Sequence, residues 1–286
     1  MTLTDNLTDS VYFSGLLPKQ CPVLNAKITE SLQKHGIPYA YLSETKDIWC
    51  RDFMPIQIDK DKFVFYYYTP DYLQDTTYHR RLQTDTEKVL LAEENHLGGL
   101  LKYRNNIDLV IDGGNVVKCG DTVVMTDKVF KENKDKSPSE VERILRDAYR
   151  CDILFLPWEK VKEDVYGHSD GIVHYAGKGK ILLTNYDDFS MDYYHQYRKI
   201  LDKKFDVITL KYNIKRHRKR SWCYINFLHI GNLVLVPQLG TDEDEQALEQ
   251  IGKVFPDGEI VGIPALEAVR KGGALNCISW NLFLAK

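Results

Sequence analysis

The chain has 286 residues, 43% of them apolar, and a formal net charge of −3. It is long and apolar enough to bury a substantial core, which excludes a disordered chain. Acids and bases are mixed along it, so there is no overall attraction to nucleic acid or to an anionic membrane, and a partner is better sought in a local pocket.

The first ten residues carry neither a basic n-region nor an apolar core, and no apolar run approaches bilayer length, so a cytoplasmic protein is expected. The cysteines, Cys21, Cys50, Cys119, Cys151, Cys223 and Cys277, are scattered and include no C-x-x-C pair. Neither a zinc site nor a disulfide framework is signalled, and reduced thiols are expected.

In chain order, a helix is expected over 25–35, stopped by Gly36 with Pro38 beyond it. A hairpin follows, with strands at 51–58 and 63–68. Thr84 with Glu87 forms a capping-box pattern that opens a helix. The second hairpin pairs 115–119 with 122–125, and Ser139 with Glu142 opens another helix in the same way. A third hairpin pairs 171–176 with 181–184 and a fourth pairs 224–230 with 233–236, before a helix over 241–255. A fifth unit presents one strand, 276–284, before the sequence ends.

The polar residues opening these units are Asp52, Asp112, His168, Tyr224 and Cys277, in steps of 60, 56, 56 and 53 residues. A period that constant is the mark of a repeat architecture. Five units of hairpin, helix and strand about one axis make a propeller-like α/β ring, a single domain over 1–286, with the first residue of each hairpin aimed at one central place. Ordinary turn-flanking residues would be Asn, Gly or Ser about as often. A Cys, a His and two Asp at equivalent positions point to a site.

Cys277 follows Gly272 and Gly273, which let backbone approach a ligand closely. A thiol needs an electropositive neighbour or a cationic substrate to become a nucleophile at neutral pH, and His168 or a bound cation would serve. His168 and Asp170 stand two apart on an expected strand, hence on one face. His174 is expected to be structural. No second His or Cys stands at metal-site spacing from His168, so no metal is called for. Asp52 follows Trp49 and Arg51, and Asp112 precedes Gly113 and Gly114. A Cys–His pair with one carboxylate is already a nucleophile constellation, and the surplus acids suit a cationic substrate gripped by paired carboxylates.

These residues carry a resemblance. Trp49-x-Arg-Asp-x-x-Pro, Asp112-Gly-Gly-Asn, Gly167-His-x-Asp, Tyr224-Ile-Asn-Phe, Val236-Pro-Gln, Val261-Gly-Ile and Gly272-Gly-x-x-x-Cys occur in the order found in agmatine deiminases and their bacterial peptidylarginine deiminase relatives. The sequence resembles that family, of the pentein superfamily, from about Trp49 onward. The resemblance implies a five-bladed pentein α/β propeller with pseudo-five-fold repeats. It implies Cys277 as nucleophile, His168 as general acid and base, and Asp112 as the acid that orients the histidine. Asp52 and Asp170 would grip the guanidinium, Trp49 would form an aromatic wall, and Gly272 and Gly273 would shape the loop that delivers the thiol. The reaction implied is hydrolysis of a small guanidino substrate, with agmatine first and arginine or peptidylarginine behind it, and without metal or organic cofactor. A homodimer is plausible on the same ground.

The sequence departs from the family at Asp112, where Glu is usual, at Met54, Ala274 and Asn276, and in lacking a Glu-Trp opening. A shorter acid at 112 is expected to move or weaken the histidine's support. Two rival readings remain: an amidinotransferase of the same fold, and a non-catalytic pentein acting as a binding module. The basic run Lys215 to Arg220 would serve the latter as a nucleic-acid patch, though short isolated runs of this kind are usually solvated loops.

Overall fold

The computed structural model describes residues 2–97, 103–160, 165–214 and 221–284. Two parallel strands come first, β1 (Ser10–Ser14) and β2 (Tyr39–Leu42), joined through the helix Pro22–Lys34. Then one pattern recurs four times: an antiparallel hairpin, a helical crossover, and a third strand parallel to the second. The sheets are β3 (Ile56–Asp59), β4 (Lys62–Tyr67) and β5 (Tyr103–Val110); β6 (Val117–Lys118), β7 (Thr122–Thr126) and β8 (Asp152–Leu156); β9 (Val173–Gly177), β10 (Lys180–Leu183) and β11 (Asp206–Thr209); and β12 (Leu228–Ile230), β13 (Leu233–Gln238) and β14 (Glu259–Pro264). The last strand, β15 (Ser279–Leu282), pairs antiparallel with β1, with Val11 opposite Asn281.

The fifth unit is thus completed from the other end of the sequence, which supplies its second and third strands. With β15 in place, this sheet has the same antiparallel-then-parallel order as the other four. The ring closes by strand pairing, and each sheet places its hairpin partner in the middle. Those middle strands are apolar and covered on both faces, as the fully buried β1 and β7 show.

The crossover helices cover the outside. In Pro138–Tyr149, Val141, Leu145, Ala148 and Tyr149 turn inward at helical spacing. Its cap is Ser137, whose hydroxyl accepts from Glu140 N, with Pro138 in the first turn, two residues before the expected start at Ser139. The helix Thr86–Ala92 is likewise capped by Asp85 and not by Thr84. Thr84 Oγ1 instead accepts from Lys46 N.

The residues that open the units do not lie on strands. They sit in or just before short turns that precede the strands: Cys50–Phe53, Gly113–Asn115 capped by Asp112, Ser169–Gly171 capped by His168, Ser221–Ile225 and the turn leading from Gly272 into β15. Consecutive turns touch one another, forming a collar of backbone at one end of the ring. His168 caps one of these turns and Asp170 lies within it, so neither stands on the strand expected for them.

No described helix is long and apolar enough to cross a membrane. All six cysteines are free thiols, and among the described residues no cluster is suited to a metal. The basic run from Lys215 to Arg220 lies outside the described residues.

Candidate active site

The collar gathers six functional groups, all of them buried but His168, which is partly so. His168 Nε2 lies 2.9 Å from Asp112 Oδ2, and its Nδ1 lies 3.6 Å from Asp52 Oδ1. On the other side Cys277 Sγ stands 3.5 Å from Asp170 Oδ2 and 3.3 Å from Asn226 Oδ1. The two halves feel each other's charge, since Asp52 and Asp170 both act on the thiol.

The shorter acid at position 112 reaches the histidine, at 2.9 Å. The two glycines after it explain why. A Cβ on Gly114 would come within 2.6 Å of His168 Nδ1 and 2.7 Å of Asp52 Oδ1, so the bare backbone lets the ring lie directly against it. Gly114 N also donates to Asp52 Oδ1 at 3.0 Å, fixing that carboxylate. A Cβ on Gly113 would fall 1.9 Å from the Arg51 carbonyl oxygen, which is backbone and cannot yield. Gly113→Ala should therefore destabilise the fold by about 3 kcal/mol. Gly114→Ala should displace two side chains and cut kcat/KM about 10²-fold with a much smaller loss of stability. Urea titration beside steady-state assay separates the two, and equal effects of both kinds in both variants would contradict this reading.

Cys277 is delivered by the segment after Gly272, whose φ of +107° favours glycine. Trp49 packs on the next residue: a Cβ on Gly273 would lie 2.3 Å from its ring. Trp49 thus seats the thiol loop, and the structure places it against that backbone. Arg51 ties the same loop down, with its N–H donating to Cys277 O at 3.1 Å and its Nε to Asn276 O at 3.3 Å.

Tyr224 does not reach the centre. It is fully buried, and its hydroxyl donates to Asp244 Oδ1 at 2.6 Å behind the site. The place expected for it is taken by Asn226, two residues later, as Asp170 follows His168. Asn226 Oδ1 accepts from the backbone N–H of Cys277 at 3.3 Å, and its Nδ2 donates to Asp170 O. Asn276, met in the sequence only as a departure, donates to Asp170 Oδ2 at 2.7 Å. Lys128 is a further group the sequence reading missed, 3.1 Å from Asp112 Oδ2. The rings of Tyr166 and Tyr72 lie tilted against His168, with centroids 5.9 Å and 6.4 Å from its own.

The electrostatics describe a site short of one cation. Burial pushes Asp52 up to about 8, with Asp112, Asp170 and Asp47 adding repulsion against the pull of His168. Burial, with Asp170 and Asp52, holds the Cys277 thiol well above its usual range. His168 rises to about 9, since the anion of Asp52 and the hydrogen bond to Asp112 outweigh its burial. Asp112 stays below the usual carboxylate range despite burial, because Lys128 and His168 flank it. A planar cation bridging Asp52 and Asp170 would ionise Asp52 and favour the thiolate.

A ring of five small α/β sheets with its functional groups gathered at the collar is the architecture of the penteins. Agmatine deiminase of C. jejuni matches it with a TM-score of 0.75 at 17% identity, covering 99% of this chain and 95% of that one. A putative arginine deiminase from Porphyromonas gingivalis gives 0.74 at 18%, covering 98% and 97%. Within that class, the chain belongs to the Porphyromonas-type peptidyl-arginine deiminase family, whose pattern it matches over residues 21–282. A putative agmatine deiminase of Lactococcus lactis is 25% identical over 213 residues, 62% of this chain and 58% of that protein. A second, from Enterococcus faecalis, is 26% identical over 245 residues, 72% and 65% of the two chains. The chain spans less than two thirds of the length of these curated relatives.

Proposed function

We propose that the protein is a guanidine deiminase that hydrolyses a small guanidino substrate, best agmatine, to a ureido product and ammonia. The observation that carries this reading is a buried thiol beside Asp170 at the collar that also holds His168, where the one imidazole is shared between Asp112 and Asp52. Family membership and relatives named as agmatine deiminases support it.

The chemistry follows from the charges. Asp52 and Asp170 bind the guanidinium, and the thiol proton is released to water as the cation arrives. The Cys277 sulfur forms a bond to the central carbon. The tetrahedral adduct collapses as the terminal C–N bond breaks, and His168 donates its proton so that ammonia departs. A thiouronium remains on Cys277. Neutral His168 then takes a proton from water, whose oxygen attacks the same carbon, and the C–S bond breaks as the hydroxyl proton passes to the departing sulfur, releasing the ureido product and the free thiol. Turnover needs no electron transfer.

The pH dependence has two limbs. Binding needs ionised Asp52, so kcat/KM rises with pH towards about 8, and ammonia departure needs protonated His168, so it falls above about 9. Because free Asp52 holds a proton at pH 7 and bound Asp52 does not, substrate binding at that pH releases protons. Calorimetry in buffers of different ionisation heat measures this, and net proton uptake would contradict the assignment.

The identifying assay is ammonia and ureido formation from agmatine, arginine, methylated arginines and an arginine peptide. Turnover of one guanidine supports the hydrolase and names its tail specificity. Amidino transfer to an added amine without ureido product would overturn it.

A further inference from the structure

Lys128 has no solvent exposure, and an ammonium that deep persists only where anions repay its desolvation. Its Nζ lies 2.7 Å from Glu132 Oε1, 3.1 Å from Asp112 Oδ2 and 3.4 Å from Asp71 Oδ1, with the Tyr72 ring centroid 5.1 Å away. Glu132 is almost as buried, and burial with the charge of Asp112 pushes its carboxyl up to about 7. The cluster meets the reaction site through Asp112 and, more loosely, the Tyr72 ring. Asp112 Oδ2 contacts both Lys128 Nζ and His168 Nε2, while the buried Asp112 Oδ1 has no hydrogen-bond partner.

The consequence appears once the imidazole moves protons. When His168 gives its proton to the departing nitrogen, Asp112 loses a cationic neighbour, and a carboxylate buried to this depth would then take up a proton and drop its bond to the ring. A second, fixed cation on the same oxygen prevents that. We propose that Lys128 is a positioning residue of the reaction, clamping Asp112 from the side away from His168 so that this short acid stays ionised and fixed while the histidine loses and regains its proton. The proposal rests on the reading of His168 as the proton carrier. Glu132 and Asp71 hold the ammonium in place, and Asp52 is the remaining charged group that faces the imidazole.

The test uses Lys128→Met and Lys128→Arg in the whole chain, with two readouts. One is the titration of His168 by NMR of ¹⁵N-histidine protein, assigned with His168→Gln, which needs no turnover. The other is the steady-state pH profile. Losing the cation stabilises the imidazolium, so Lys128→Met should raise the His168 midpoint by about one pH unit. It should also lower kcat about 10²-fold with KM within about threefold, and Lys128→Arg should restore most of both. A Met variant that titrates and turns over like wild type would reduce Lys128 to a structural counter-ion. If circular dichroism shows the Met variant unfolded, Glu132→Gln decides: removing an anion should lower the His168 midpoint, and no shift overturns the proposal. Wild-type protein inert on every guanidine indicts the proposed function, whereas active wild type with an unaffected Met variant indicts Lys128 alone.

Discussion

Cys277→Ala should lower turnover of the guanidino substrate by on the order of 10⁶-fold, the scale reached when a covalent nucleophile is removed. The alternative, direct attack by water, lacks a general base at the right stage, because His168 is protonated until ammonia has left. Substrate binding should survive within about tenfold, since Asp52 and Asp170 remain to grip the cation. Melting should change little, as the substitution removes one sulfur beside two acceptors. Residual activity above about 1% of wild type, with the variant well folded, would remove the covalent step from the mechanism.

Asp52→Asn ranks next, with an expected loss in kcat/KM of about 10³-fold, carried partly by KM. It removes one charge-assisted contact to the guanidinium and the anion that sustains the His168 proton. The rising limb near pH 8 should vanish, and the falling limb should move to lower pH. Stability moves the other way. A carboxyl whose folded value is raised, as here to about 8, favours the fold fully below its unfolded value near 4, and that contribution is lost as pH rises through 8. The variant carries no such loss, so its melting temperature should gain on wild type between about pH 5 and pH 8. Parallel melting curves over that range would show that Asp52 is not a strained, half-neutral acid.

Much of this arrangement is legible in the sequence because the repeat is local. Each hairpin and its polar opening residue lie within one short stretch, and the near-constant interval between Asp52, Asp112, His168, Tyr224 and Cys277 exposes the ring. What is not legible is non-local. β1 pairs with β15 across almost the whole chain, and nothing within 10–14 marks it as the missing half of the last blade. Asn226 was hidden by a phase error: Tyr224 keeps the interval, but its hydroxyl is committed to Asp244, and the collar position falls two residues on. The interval between His168 and Asp170 would have revealed it. Lys128 had no signal at all. A lysine at the start of an amphipathic stretch ordinarily reads as solvated, and only the fold puts three carboxylates around it. The start of the helix Pro138–Tyr149 slipped for a local reason, since Pro138 fits its first turn and leaves Ser137 as the cap.

The most direct test of the account is intact-mass analysis of the protein quenched during turnover of agmatine, followed by mapping of the modified peptide. A covalent thiouronium on Cys277 predicts a mass gain equal to the substrate less ammonia, on the Cys277 peptide and absent from Cys277→Ala. A gain of the amidino group alone, with the substrate's tail lost, would make the protein a transferase. Steady turnover with no adduct on Cys277 at any quench time, including in a variant slowed at His168, would contradict the covalent mechanism itself.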